Sequence, residues 1–188
     1  MSRQFWAETL AWATADGTAV ANSVTEAILF PNITIPANYL QDGRLIRLTL
    51  YGRYSNVVTA VPTITFRCRW GGVAGTVIAA SGAIVTSATA MTAALWKMEI
   101  VIQVRTNGAT GTVFAMGEVE LTTNTAPTFG TVTNYGVVSL MGSGGLATPA
   151  AVTVDLTADT ALAVTAQWSA ANASNTITGH LYSLEALN

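Results

Sequence analysis

The sequence predicts an all-β protein: a two-sheet antiparallel sandwich, jelly-roll-like, of about eight to ten strands, with an N-terminal arm. Three observations predict it. Apolar residues recur at every second position through most of the chain, and Thr, Val and aromatics dominate those stretches. Gly, Asn and Ser separate them. No stretch carries the 3.6-residue apolar period of an amphipathic helix. At 188 residues the chain suffices for one undivided core. The domain reading is an arm or edge strand over 1–25 and a β-sandwich over 26–188.

The arm comes first. Phe5, Trp6, Leu10 and Trp12 lie in an Ala/Thr-rich stretch of weak periodicity. Their rings need a surface to pack on, either this molecule's own core or a neighbouring chain. A strand is expected near 26–35. Residues 44–53 then put Ile46, Leu48 and Leu50 on one face and Arg47, Thr49, Tyr51 and Arg53 on the other. Pro62 opens the next strand, where its missing N–H does least harm. Along it Ile64, Phe66, Cys68 and Trp70 oppose Thr63, Thr65, Arg67 and Arg69.

After a strand near 76–84, Trp96, Met98, Ile100, Ile102 and Val104 oppose Lys97, Glu99, Gln103 and Arg105. Asn107-Gly108 signals a hairpin turn into Val113, Ala115, Val119 and Leu121, with Glu118 and Glu120 outward. Further strands are expected near 134–140, 151–157, 161–168 and 176–186. A flexible loop, Gly142-Ser-Gly-Gly145, precedes the last three. Each sheet should show one face to the core and one outward.

Composition narrows the function classes. Hydrophobic residues make up 51% and charged residues 10%, against about 25% charged in an ordinary soluble domain. A surface so poor in charge belongs to an assembly, which favours a homo-oligomer, trimer before dimer. A net charge of -2 argues against nucleic acid, which demands clustered cations. No run reaches the roughly 18 apolar residues of a membrane helix, and no secretory signal is expected. One cysteine, Cys68, excludes an internal disulfide and fits a reducing cytoplasm.

His180 lacks a nucleophile elbow, so a structural or surface role is expected. Zinc would need more His or Cys than the chain has. Asp155 and Asp159 lack the further ligands calcium requires. The Gly142–147 segment leads to a strand instead of a helix and is no dinucleotide site. No metal, cofactor or catalytic residue is therefore expected. Glu118 and Glu120 share one strand face, so ion pairing with Arg67, Arg69 or Lys97 is favoured over acid–base catalysis. Cys68, Trp70, Trp96 and Trp168 read as core, and Tyr51 and Tyr182 as outward. The contact candidates are Phe5, Trp6, Trp12, Tyr51, Arg67, Arg69, Glu118 and Glu120.

One ordered set of segments carries a family resemblance. It runs Asn38-Tyr-Leu-Gln-Asp-Gly-Arg-Leu-Ile-Arg47, Pro62-Thr-Ile-Thr-Phe-Arg-Cys-Arg-Trp-Gly-Gly72 and Leu95-Trp-Lys-Met-Glu-Ile100. Gly111-Thr-Val-Phe-Ala-Met-Gly117, Val152-Thr-Val-Asp-Leu-Thr157 and Ala166-Gln-Trp-Ser-Ala-Ala-Asn-Ala-Ser-Asn-Thr-Ile177 follow. Over residues 26–187 this resembles virion structural proteins of tailed phages and prophages, jelly-roll domains of the capsid decoration (cement) kind. The resemblance implies no enzyme activity. It implies the major capsid protein as partner and the capsid exterior as location, after synthesis in the host bacterial cytoplasm. The alternative is a glycan-binding sandwich domain of a tail fibre or baseplate.

Overall fold

The computed structural model describes residues 7–57, 61–123, 136–143 and 149–187. Among them the strands are β1 (Ala7–Trp12), β2 (Val20–Ala21), β3 (Ala27–Ile28), β4 (Ile33–Ile35), β5 (Leu45–Asn56), β6 (Thr63–Trp70) and β7 (Thr76–Val85). Then come β8 (Met91–Thr106), β9 (Gly111–Thr122), β10 (Gly136–Gly142), β11 (Val152–Val154), β12 (Thr160–Trp168) and β13 (Thr176–Leu187). The fold is all-β, and every ladder is antiparallel.

Thirteen strands exceed the eight to ten expected. The excess is short pieces. The stretch 26–35 breaks into β3 and β4. The expected strand 151–157 stops at Val154, because Asp155 accepts hydrogen bonds from the Thr157 amide and hydroxyl and turns the chain.

The sheet order is β1-β13-β5-β8-β9-β10-β7-β6-β12-β3, with β2 on β13, β11 on β9 and β4 on β12. One register pair, Gly142 with Ala80, joins β10 to β7. At that seam the sheet folds over on itself into two layers. The larger layer holds β1, β13, β5, β8, β9 and β10, and the smaller holds β7, β6, β12 and β3. Pairings nest as β5 with β13, β6 with β12, β7 with β10 and β8 with β9. The two ends of the chain thus wrap around its middle, as in a jelly roll. Partners this distant in sequence close large loops before gaining contacts, so folding on roughly the millisecond-to-second scale is expected.

Strict alternation builds the core. Inward residues of β5, β6 and β8, among them Ile46, Leu48, Leu50, Ile64, Phe66, Trp96, Met98 and Ile100, are fully buried. Phe66 meets Trp96 across the layers at 5.5 Å between ring centroids. Each buried tryptophan also satisfies its indole N–H. Trp96 donates to the Thr178 carbonyl, Trp168 to Val20 and Trp70 to Asp155. The sequence placed these three rings in the core, and they are there. Burial also pushes the Cys68 thiol up to about 12, so it stays neutral as a small core hydrophobe.

The described part of the N-terminal stretch is an edge strand. β1 pairs with β13 from Ala7–Leu187 to Trp12–Ser183, and β2 continues along β13 at Thr176 and Ile177. Leu10, Ala11 and Ala13 pack against the core and Val20 belongs to it. A chain starting at Glu26 would lose these pairings and core contacts. Phe5 and Trp6 lie outside the described residues.

At the bulge between Tyr54 and Asn56, Ala93 adopts φ 49°. Its amide is held by the Ser55 hydroxyl, and its carbonyl accepts from Arg53. A Cβ in that region costs roughly 1–2 kcal/mol, partly offset by the entropy glycine loses. Ala93→Gly is expected to raise stability by about 0.5–1 kcal/mol. Thermal unfolding checks this, and a lower midpoint would show the bulge to be unstrained.

Candidate functional site

The outer face of the smaller layer is organised by a residue the sequence reading did not single out. Glu26, just before β3, reaches over β12 and β6. Its Oε1 accepts from Arg69 Nε at 2.6 Å and its Oε2 from Arg69 Nη2 at 2.7 Å. Arg67 Nη1 adds 3.0 Å to Oε2, and the Thr165 hydroxyl donates to Oε1. Arg67 also donates to Gln167 Oε1, whose amide donates to the Val24 carbonyl. Burial pushes the Glu26 carboxyl up. Its hydrogen bonds from Arg69 and Thr165 and the charges of Arg67 and Arg69 outweigh that, holding it below the ordinary 4.5.

Around this cluster threonines and Gln167 mix with small and apolar side chains. Thr63 sits opposite Val85 and Thr65 opposite Ala83. Val24 and Val85 are 49% and 60% exposed.

Within one chain, Arg67 and Arg69 do not pair with Glu118 and Glu120. The arginines are on β6 of the smaller layer and the glutamates on β9 of the larger. Two further strands, β10 and β7, separate β9 from β6 in the sheet order. Glu118 sits opposite Glu99 in register, and Glu120 opposite Lys97 without an ion pair. Glu118 and Glu120 are exposed on an open strand surface, with no facing acid across a cleft. The signal that would have found Glu26 was weak: one acid before an apolar strand.

On the outer face of the larger layer, Leu181, Tyr51, Lys97 and Glu120 form one row across β13, β5, β8 and β9. Trp12, Ser183, Thr49, Glu99 and Glu118 form the next. Trp12 is 58%, Leu181 52% and Tyr51 36% exposed. Tyr182 corrects the outward reading. A bulge between Gly179 and Leu181 shifts the alternation, so Tyr182 aligns with buried Leu50 and meets Phe30 edge-on at 5.2 Å. Leu181 takes the outward place instead.

His180, the bulged residue, bonds Asp16 at 2.9 Å. Asp155 caps its own turn, and Asp159 accepts from the Ala37 amide. Among the described residues, no three His, Cys, Asp or Glu side chains gather as metal ligands would. Residues 144–148 of the glycine loop lie outside the described set.

No family model and no curated protein matches this chain. A solved structure, the CBM2 module of Lactobacillus casei BL23 phage J-1 evolved Dit, is similar at 9% identity, with a TM-score of 0.36. The alignment covers 99% of this chain and 98% of that one. At that score the two share too little geometry for any functional inference.

Proposed function

We propose that this chain is a non-enzymatic structural protein of a phage virion, a decoration protein that binds the assembled shell and reinforces it. The observation that carries the reading is the outer face of the smaller layer. Both of its arginines are paired with Glu26, leaving a net charge of one, and Val24 and Val85 are exposed beside Thr63, Thr65 and Gln167. Such a face is covered by a partner at little desolvation cost, because no unpaired charge must be buried. The low charge of the whole chain and the family resemblance support the same reading. The major capsid protein is the partner. Preference for the mature lattice over free subunits would stabilise the shell by mass action. A trimer, or else a dimer, would multiply modest contacts through avidity.

Co-sedimentation with undecorated expanded shells of the encoding phage tests this. Wild-type protein is expected to bind. Val24→Asp or Val85→Asp is expected to weaken binding roughly tenfold or more, because each would bury an unpartnered carboxylate. Absence of wild-type binding, or variants that bind equally, would reject the docking face. The reading also expects no polysaccharide turnover. Release of reducing ends that Glu118→Gln abolishes would replace it with a glycosidase.

A further inference from the structure

We infer that the opposite surface, the outer face of the larger layer, is a stacking platform for a neutral or amino-bearing glycan chain. The inference is independent of the shell reading, since it concerns a different face and a different ligand. It starts from where the described chain leaves aromatic and polar groups unengaged. Trp70, Trp96 and Trp168 are buried with their indole N–H groups bonded to backbone carbonyls. Trp12 is the exception among the described tryptophans, exposed and without a hydrogen bond. Tyr51 lies on the same face with its hydroxyl likewise unengaged.

The charged groups divide in the same way. Glu26, Arg67 and Arg69 are paired, as are Arg47 with Glu185 and His180 with Asp16. Arg53 is bonded to the Ala93 carbonyl, and Arg105 covers the Phe114 ring. Lys97, Glu99, Glu118 and Glu120 make no hydrogen bond or ion pair among the described residues. All four share the face that carries Trp12 and Tyr51.

Geometry makes these residues one site. β13 separates β1 from β5, so Trp12 and Tyr51 stand two strand spacings apart, about 10 Å across the sheet. Leu181 lies between them, in register with Tyr51 and one outward step from Ser183, the partner of Trp12. The result is an aromatic–aliphatic–aromatic floor, spanning a short run of linked pyranose rings. A pyranose offers an apolar C–H face to such a floor and hydroxyls at its rim. Here Lys97, Glu99, Thr49 and Ser183 supply donors and acceptors beside the floor. That combination suits a sugar better than an apolar protein patch, which would leave these groups desolvated and unpaired. With Glu185, Arg47 and Arg53 on the same strand faces, four carboxylates stand against three cations, and this small negative excess favours neutral or amino-bearing polysaccharides over acidic ones.

Native-gel affinity electrophoresis tests the inference, with hydroxyethyl cellulose, dextran, glycol chitosan or alginate cast in the gel. Retardation is expected in at least one of the first three and not in alginate. Trp12→Ala and Tyr51→Ala should each weaken it at least tenfold, with thermal unfolding confirming that both variants fold. Val85→Asp, on the other face, should keep it. Migration unaffected by all three glycans, retardation by alginate alone, or retention undiminished in both aromatic variants would overturn the inference. So would light scattering that shows Trp12→Ala dissolving an oligomer without any glycan effect, since a second copy would then own the face. Shell binding is read separately, so failure here leaves that outcome distinct.

Discussion

Gly52→Val is expected to lower the unfolding midpoint by roughly 6–12 °C, from a cost of about 3 kcal/mol in a domain of this size. Gly52 occupies an inward position of β5, aligned with Gly179 on β13 and Trp96 on β8. The Trp96 indole lies against it. A Cβ there would come within 2.6 Å of Trp96 Nε1 and Cε2, and 2.1 Å of the Thr178 carbonyl oxygen. That carbonyl accepts the Trp96 N–H, so the substitution would displace a core ring and its hydrogen bond together. None of these three atoms is the tip of a mobile side chain, and cores absorb added volume poorly. Differential scanning calorimetry reads the effect, with Thr49→Val on the outer face of the same strand as a near-neutral control. An unchanged midpoint would mean that Trp96 does not seat on Gly52.

Glu26→Gln is expected to destabilise the protein by about 2 kcal/mol at neutral pH. Removing one partner of a buried pair costs roughly 3–5 kcal/mol. The lower figure applies because Arg67 and Arg69 retain 23% and 17% side-chain exposure. The pH dependence follows from the direction of the shift. In the folded state Glu26 holds its proton less tightly than its ordinary value of 4.5 implies. Its contribution is therefore fully present above about pH 5 and lost as pH falls through the depressed folded value. The stability gap between wild type and Glu26→Gln should be constant from pH 8 to 5 and narrow progressively as pH falls below the ordinary 4.5. Urea unfolding at pH 7 and pH 3.5 measures both ends. A gap of equal size at both would show that lost packing, and not the paired carboxylate, causes it. The same variant frees two cations on the proposed shell-binding face, so weaker shell binding should accompany the lost stability.

Much of this architecture is written in local pattern. Alternation along residues 44–53, 63–70 and 96–105 identifies which side chains face inward, because a strand's side-chain period is two whatever its partners are. It placed Trp96, Trp70 and Cys68 inside and Arg67, Arg69, Glu118 and Glu120 outside, as observed. Asn107-Gly108 announced its turn, where Gly108 takes φ 106°. What alternation does not encode is which strand lies beside which. Arg67 and Glu118 both face outward, yet they do not meet, because β10 and β7 lie between β9 and β6 in the sheet order. Only the nested pairing decides that. The bulge at His180 likewise exchanges Tyr182 for Leu181 on the surface, through one unpaired residue whose cost and compensation lie in the neighbouring strand. Glu26 becomes a hub only when β12 brings Thr165 beside Arg67. The sequence by itself determined the fold class and the inward set, since both follow from a two-residue period. Tertiary structure alone decided which charges meet and which aromatics share a face, since those depend on contacts between residues far apart in sequence, such as Arg67 with Glu26, 41 positions away, and Gln167 with Val24, 143 positions away.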